Sequence, residues 1–186
     1  MPSLSTIVIL AVAAALLLWF VAVLNSLVAL RVRVQNAWSE IDVQLKRRHD
    51  LIPNLVETVK GYAAHEKGTF ENIAKYRTTA MQATTPADKA AAEGQLTMAL
   101  RGLLAVAEAY PQLRASEEFT QLQTQLTQTE DNIQNARRYY NAVVRDFNTK
   151  LQTFPTNMFG SMLGFQPRQY FEMETPADRE NVVVKF

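Results

Sequence analysis

A chain of 186 residues, with an N-terminal apolar segment that leaves about 160 for water, suits one domain with a real core. Its 19 Lys and Arg stand against 18 Asp and Glu, a balance that offers no electrostatic footprint for nucleic acid, and the absence of Cys excludes disulfides, thiolate metal sites and cysteine nucleophiles while leaving the redox compartment open. Only 6 Gly and 7 Pro interrupt a sequence rich in Ala, Leu, Gln and Glu, so helix is favoured nearly throughout and the fold class is all-α.

The 18 residues from Ile7 to Leu24, IVILAVAAALLLWFVAVL, are all apolar, enough to cross a hydrocarbon core of about 30 Å. A cleaved signal peptide is the rival reading. The leader MPSLST carries no Lys or Arg, the apolar run is longer than the roughly 7–15 residues such peptides use, and no small-x-small cleavage site follows Leu24. The expectation is an uncleaved transmembrane anchor built on Ile7, Leu10, Leu17, Trp19, Phe20 and Leu24. Arg31 and Arg33 follow the span closely whereas its N-terminal flank has no basic side chain, which places the short N-terminus outside and the body in the cytoplasm.

Beyond the anchor, Leu27, Val34 and Ile41, together with Trp38, Leu45 and Ile52, fall at heptad spacing on one face, so the membrane helix is expected to run on without a break to Asp50. Asp50-Leu51-Ile52-Pro53 reads as a stop and restart. A second helix then follows the stripe Leu55, Val59, Tyr62, Glu66, Phe70, Ile73 and Arg77, weakened in its middle by Glu66 and Gly68. Thr84-Thr85-Pro86-Ala87-Asp88 supplies a cap, a first-position Pro and an early acid for a third helix carrying Leu96, Leu100, Leu103 and Ala107, which Tyr110-Pro111 ends. The fourth helix begins near Ser116, where Phe119, Leu126, Ile133, Tyr140, Phe147 and Phe154 recur every seven residues. It is expected to span about 38 residues, close to 57 Å, and to stop at Phe154-Pro155. A short apolar turn from Met158 to Phe165 and an extended finish at Val182, Val183, Val184 and Phe186 follow. The organisation is thus a short external N-terminus and anchor over 1–24, a long antiparallel four-helix bundle over 25–154, and a C-terminal lid or interfacial segment with an extended tail over 155–186.

If the helices alternate up and down, as short connections favour, the fourth returns toward the bilayer. Met158, Phe159, Met162, Leu163 and Phe165 then have two readings, a foot on the membrane interface or a lid on the open end of the bundle core, the lid being the plainer. Arg47 and Arg48 lie 23 residues beyond Leu24, so a straight helix lifts them roughly 35 Å from the surface. Ion pairs at the far end of the bundle, or contacts with a neighbouring subunit, suit them better than lipid headgroups. Trp38, Ile41 and Leu45 are core anchors or subunit contacts, and so are Phe119, Leu126, Ile133, Tyr140 and Phe147. The fourth helix outruns the third by about 15 residues, which suggests apolar positions in want of a partner and hence a homo-oligomer.

Catalytic chemistry finds no support. His49 and His65 are the only histidines and neither sits in His-Glu-x-x-His spacing. His49-Asp50 and His65-Glu66 could pair as base and orienter, but polar residues at a helix end are the simpler account. Gly160-Ser161-Met162-Leu163-Gly164 is not a nucleophile elbow, since Ser is not at the third place, and no phosphate loop or dinucleotide glycine pattern occurs. A di-metal centre in a bundle needs Glu-x-x-His, and no His here lies three residues after a Glu. Glu40, Asp42, Glu57, Glu66, Asp131, Arg137, Arg138 and Arg145 are therefore read as ion pairs and solvated faces, with no cofactor and no metal.

Longer motifs carry a resemblance. VALRVRVQNAWSEIDVQLKRRHDLIPNLVETVKGYAAHE, then Ala107-Glu108-Ala109-Tyr110-Pro111-Gln112-Leu113-Arg114-Ala115, Phe119-x-x-Leu122, Thr129-Glu130-Asp131-x-Ile133, Arg137-x-x-Tyr140-Asn141 and Phe147-Asn148 through Phe154-Pro155 closely resemble, in order and over almost the whole chain, the bacterial LemA family. Departures are small: Leu24 stands where members often show Tyr, Phe159-Gly160 where aliphatic residues are common, and Asn181 where Pro often stands. The resemblance implies a single-pass inner-membrane protein with a helical-bundle domain, no established enzyme activity and a suggested link to membrane-protein quality control. Two functions are weighed: a homo-oligomeric, non-enzymatic scaffold that binds membrane lipids and organises or shapes the inner membrane, and an adaptor working with a membrane-embedded protease through an exposed patch around Glu66 to Gly68.

Overall fold

The first helix does not stop at Pro53. The computed structural model describes residues 3–172, and in it α1 runs as one helix over Leu4–Lys60 with Pro53 inside. A proline within a helix deprives the carbonyl four residues earlier of its donor, at a cost of about 3 kcal/mol. Here that carbonyl belongs to His49, and Arg77 Nε donates to it at 2.8 Å. The corner expected at Asp50 to Pro53 is therefore displaced to residues 61–66, where Gly61 follows the last turn, and α2 covers Lys67–Gln82. The stripe read as one helix from Leu55 to Arg77 is divided between α1 and α2. We expect Arg77→Met to lower stability by roughly 1–3 kcal/mol, the cost of leaving one backbone acceptor unmet, measured by urea denaturation of the full chain in detergent.

Local signals account for the remaining starts and stops. α3 spans Pro86–Glu108; Thr85 Oγ1 accepts from the Asp88 amide at 3.1 Å and donates to Asp88 Oδ2 at 2.7 Å, so side chain and backbone cap the end together while the carboxylate meets the positive end of the helix dipole. One turn, α4, occupies Pro111–Arg114. α5 covers Glu117–Gln152, 36 residues with Glu117 and Glu118 in its first turn, and α6 is a single turn over Thr156–Phe159. The described residues contain no strand, and the extended finish expected at Val182, Val183, Val184 and Phe186 lies outside them.

The chain divides into two compact units. One comprises Glu40–Arg138 with Gln169–Phe186. In it the end of α1, all of α2 and α3 and the start of α5 share one core, through Ile52, Leu55 and Val59, Phe70 and Ile73, Leu96, Leu100 and Leu103, and Phe119 and Leu126. Contacts fix the alternation. The Lys60 ammonium lies 5.8 Å over the Phe70 ring while Arg77 reaches His49, so α2 runs back along α1. Lys89 Nζ donates to Asp42 at 2.6 Å and Arg48 meets Glu93, so α3 runs with α1. Arg48 also meets Glu130 on α5. Near the end of the described residues Phe171 is wholly buried, with the Arg137 guanidinium 5.7 Å from its ring centroid, a cation–π distance.

The other unit comprises Met1–Ser39 with Tyr139–Arg168. Leu27, Val34 and Ala37 of α1 and Tyr140, Val143, Val144, Phe147 and Leu151 of α5 are buried in it, and the Trp38 and Tyr140 rings lie 5.4 Å apart. The heptads that α5 carries beyond the length of α3 are thus used inside the chain and do not of themselves require a second copy. Burial pushes the Tyr140 phenol above its ordinary value of 10.0, with the Arg168 charge pulling partly the other way. The segment after α6 is tied back to α5: Asn148 Nδ2 donates to the Arg168 carbonyl at 2.9 Å and its Oδ1 accepts from the Arg168 amide at 2.8 Å. A Cβ on Gly160 would stand 2.7 Å from the Thr156 carbonyl oxygen, so the turn after α6 closes too tightly for a side chain.

Candidate membrane-facing site

Helix α1 carries every residue of the expected anchor. Ile7, Leu10, Leu17, Trp19 and Phe20 are exposed, Leu24 is half-buried, and none of the most apolar 18-residue window is buried. Among the described residues this is the one helix long and apolar enough to cross a membrane. Apolar surface left in water costs about 25 cal/mol per Å², so 18 such residues in one run fit lipid as their solvent.

The segment around α6 divides its side chains. Phe165 is buried, and Phe159 is half-buried with its ring centroid 5.0 Å from that of Phe20 in an edge-on contact. Phe154, Met158, Met162 and Leu163 instead face outward, 75%, 68%, 85% and 48% exposed. Phe154 continues the seven-residue period of α5, but the helix ends at Gln152, so the expected core position lies outside the core.

The packing positions read from the sequence separate as well. Ile41, Leu45, Phe119, Leu126 and Ile133 are buried in the four-helix unit, Tyr140 and Phe147 are buried in the other, and Trp38 is half-buried. Arg47 is exposed beside a shallow surface groove that Asp50 and Gln128 also line. Its neighbour Arg48 is wholly buried. Arg48 pairs with the equally buried Glu93 and with Glu130, and its Nη1 donates to Thr97 Oγ1 at 3.0 Å. His49 Nε2 stands 2.8 Å from the second oxygen of Glu93, so His49 meets a carboxylate of α3 and not Asp50, which is exposed. His65 is exposed in the 61–66 corner.

Sequence reasoning passed over Glu93 and Glu130 as partners, although a signal existed. Arg48 falls in register with Ile41, Leu45, Ile52 and Leu55, and Glu93 with Leu96, Leu100 and Leu103. Opposite charges at core register on two helices of one bundle are a pairing signal, because a lone buried charge is so costly. This arrangement is a structural clamp. Among the described residues no group of three or more His, Cys, Asp or Glu is placed to hold a metal ion.

Comparison with known proteins gives a consistent picture. The LemA family model matches residues 37–186. The magnetosome protein MamQ 2 of Paramagnetospirillum magneticum is 27% identical over 179 residues, covering 82% of this chain and 65% of that protein. Protein LemA of Metamycoplasma hominis is 31% identical over 144 residues, 75% of this chain and 64% of its own length. The magnetosome protein MamQ of Magnetospirillum gryphiswaldense is 26% identical over 179 residues, with 82% and 65% covered. The chain therefore spans just under two thirds of the curated relatives it matches.

Proposed function

Because this chain belongs to the LemA family, we propose that it works as a membrane-anchored, non-enzymatic helical scaffold, which self-associates and so organises or shapes the bacterial inner membrane. The observation that carries the reading is α1 itself. Its first turns are bare and apolar, and its later turns, in the same helix, supply Ile52, Leu55 and Val59 to the core shared by four helices. The side chains gathered inside are an ion-paired clamp and aliphatic packing, which serve shape. Arg31 and Arg33 beside the span support a cytoplasmic body and an external N-terminus.

Self-association draws on Val28 and Val32, which lie one turn apart just past the span and are both nearly half exposed. β-Branched residues facing outward beside a lipid-bound helix suit side-by-side packing of like helices. The mass of the full chain in detergent at micromolar concentration tests this. We expect a discrete multiple of the protomer mass, shifted toward monomer by Val28→Ser with Val32→Ser; a strictly monomeric particle would sink the scaffold reading. The adaptor reading, with a membrane-embedded protease as partner, draws on the patch around Glu66 to Gly68, where Lys67 and Gly68 are exposed and Glu66 is half-buried. Crosslinking in native membranes separates the two, since self-crosslinks alone disfavour an adaptor.

A further inference from the structure

We propose that residues 154–163 form a second membrane contact, an uncharged foot whose Phe154, Met158, Met162 and Leu163 side chains enter the lipid interface beside the span. The inference rests on reading the apolar run of α1 as the span, and it adds a lipid-binding surface at the other end of the chain.

Depth is the decisive observation. Phe159 packs edge-on against Phe20, and Phe20 lies four residues before Leu24, the last apolar residue of the run. At 1.5 Å per residue that contact sits about 6 Å inside the end of the apolar segment. With Phe20 in the hydrocarbon region, side chains one to four residues from Phe159 cannot be remote from lipid. These neighbours are the outward-facing ones: Met158 and Met162 are 68% and 85% exposed, and Leu163 is 48% exposed.

Composition agrees with the placement. No charged residue occurs from 151 to 167, whereas Lys150 and Arg168 close the stretch on either side. An apolar patch edged by cations is the pattern of a segment lying in an interface with its ends among anionic headgroups. The turn itself is held from within. Phe165 is buried, Asn148 clamps the backbone of Arg168, and the Thr156 hydroxyl donates to the Thr153 carbonyl at 2.8 Å. The exposed side chains are thus presented by an anchored turn, and lipid is the one apolar medium that the neighbouring span brings to them.

The chain has no Cys, so single-cysteine variants of the full protein can be spin-labelled one site at a time. Met158→Cys and Met162→Cys report on the foot, Leu17→Cys on the span, and Thr127→Cys, on the exposed side of α5, on water. In vesicles of phosphatidylcholine and phosphatidylglycerol, collision with oxygen is compared with collision with a water-soluble nickel chelate. We expect the oxygen-to-nickel ratio at Met158 and Met162 to lie several-fold above that at Thr127 and to approach that at Leu17. Foot labels that match Thr127 while Leu17 reads lipid overturn the foot and leave the anchor standing. A water-like Leu17 overturns both. Foot labels shielded from both agents, or broadened by one another, show a second copy on the patch and overturn the lipid assignment. Circular dichroism of each labelled variant verifies that helix content is unchanged.

Discussion

Replacing Arg48 by Met should destabilise the folded chain by about 3–5 kcal/mol, the usual cost of removing one partner from a buried ion pair. Arg48 and Glu93 are both sealed from solvent, and the guanidinium also serves Glu130 and Thr97. Truncation leaves the Glu93 carboxylate buried with His49 as its remaining close partner, so most of the loss is the desolvation of an unmatched charge. The double variant Arg48→Met with Glu93→Leu removes both charges and puts apolar volume in their place. It should recover much of the loss, because a buried pair exchanged for well-packed hydrophobic residues is often close to neutral. Urea denaturation of the full chain in detergent, followed by helical circular dichroism, measures both. A single variant within about 1 kcal/mol of the parent, the range of exposed pairs, would show that Arg48 reaches water in solution.

Phe171→Ala should release the chain around it. Burying an aromatic and then truncating it costs about 3–5 kcal/mol where the surroundings cannot collapse. Here the segment can instead detach, which caps the cost at the free energy holding it. The sensitive readout is local. Arg168 is exposed and offers a trypsin site. If opening is fast relative to cleavage, cutting tracks the open population, and a loss near 3 kcal/mol raises it roughly a hundredfold. Limited proteolysis with mass spectrometry of the full chain checks this. Cleavage after Arg168 at the parental rate would mean that the Phe171 ring contributes little to holding the segment.

Much of the fold was legible in the sequence where a single face does all the packing. The α5 residues Phe119, Leu126, Ile133, Tyr140 and Phe147 are buried along one stripe, since a long helix with one apolar face has one way to lie on its neighbours. The α3 start was equally plain, because Thr85, Pro86 and Asp88 act on each other and on adjacent backbone. Features settled at long range were not. Pro53 carries a stop signal in any local reading, yet the donor that spares the helix sits on Arg77, in another helix. Arg47 and Arg48 are chemically alike and adjacent, and about 100° of helical rotation puts one in water and the other in the core. Phe171 belongs to a stretch with no periodicity, where burial depends on α5 alongside. Of the candidate membrane-facing site, the long apolar run of α1 was plain from composition. The contact of Phe159 with Phe20 joins two regions about 140 residues apart, for which no local pattern exists.

The bond pair between Asn148 and Arg168 has a consequence for how the C-terminal segment can vary. A side-chain amide that gives to one residue's carbonyl and takes from the same residue's N–H reads the backbone on both sides of that Cα and ignores the side chain attached to it. As far as this bond pair is concerned, the side chain at residue 168 is immaterial, with one exception. Proline has no N–H to give, and Pro167 already stands one place away. A slip of a single residue would set that ring opposite Asn148 Oδ1 and leave the acceptor empty. The lock has no alphabet, but it does keep count.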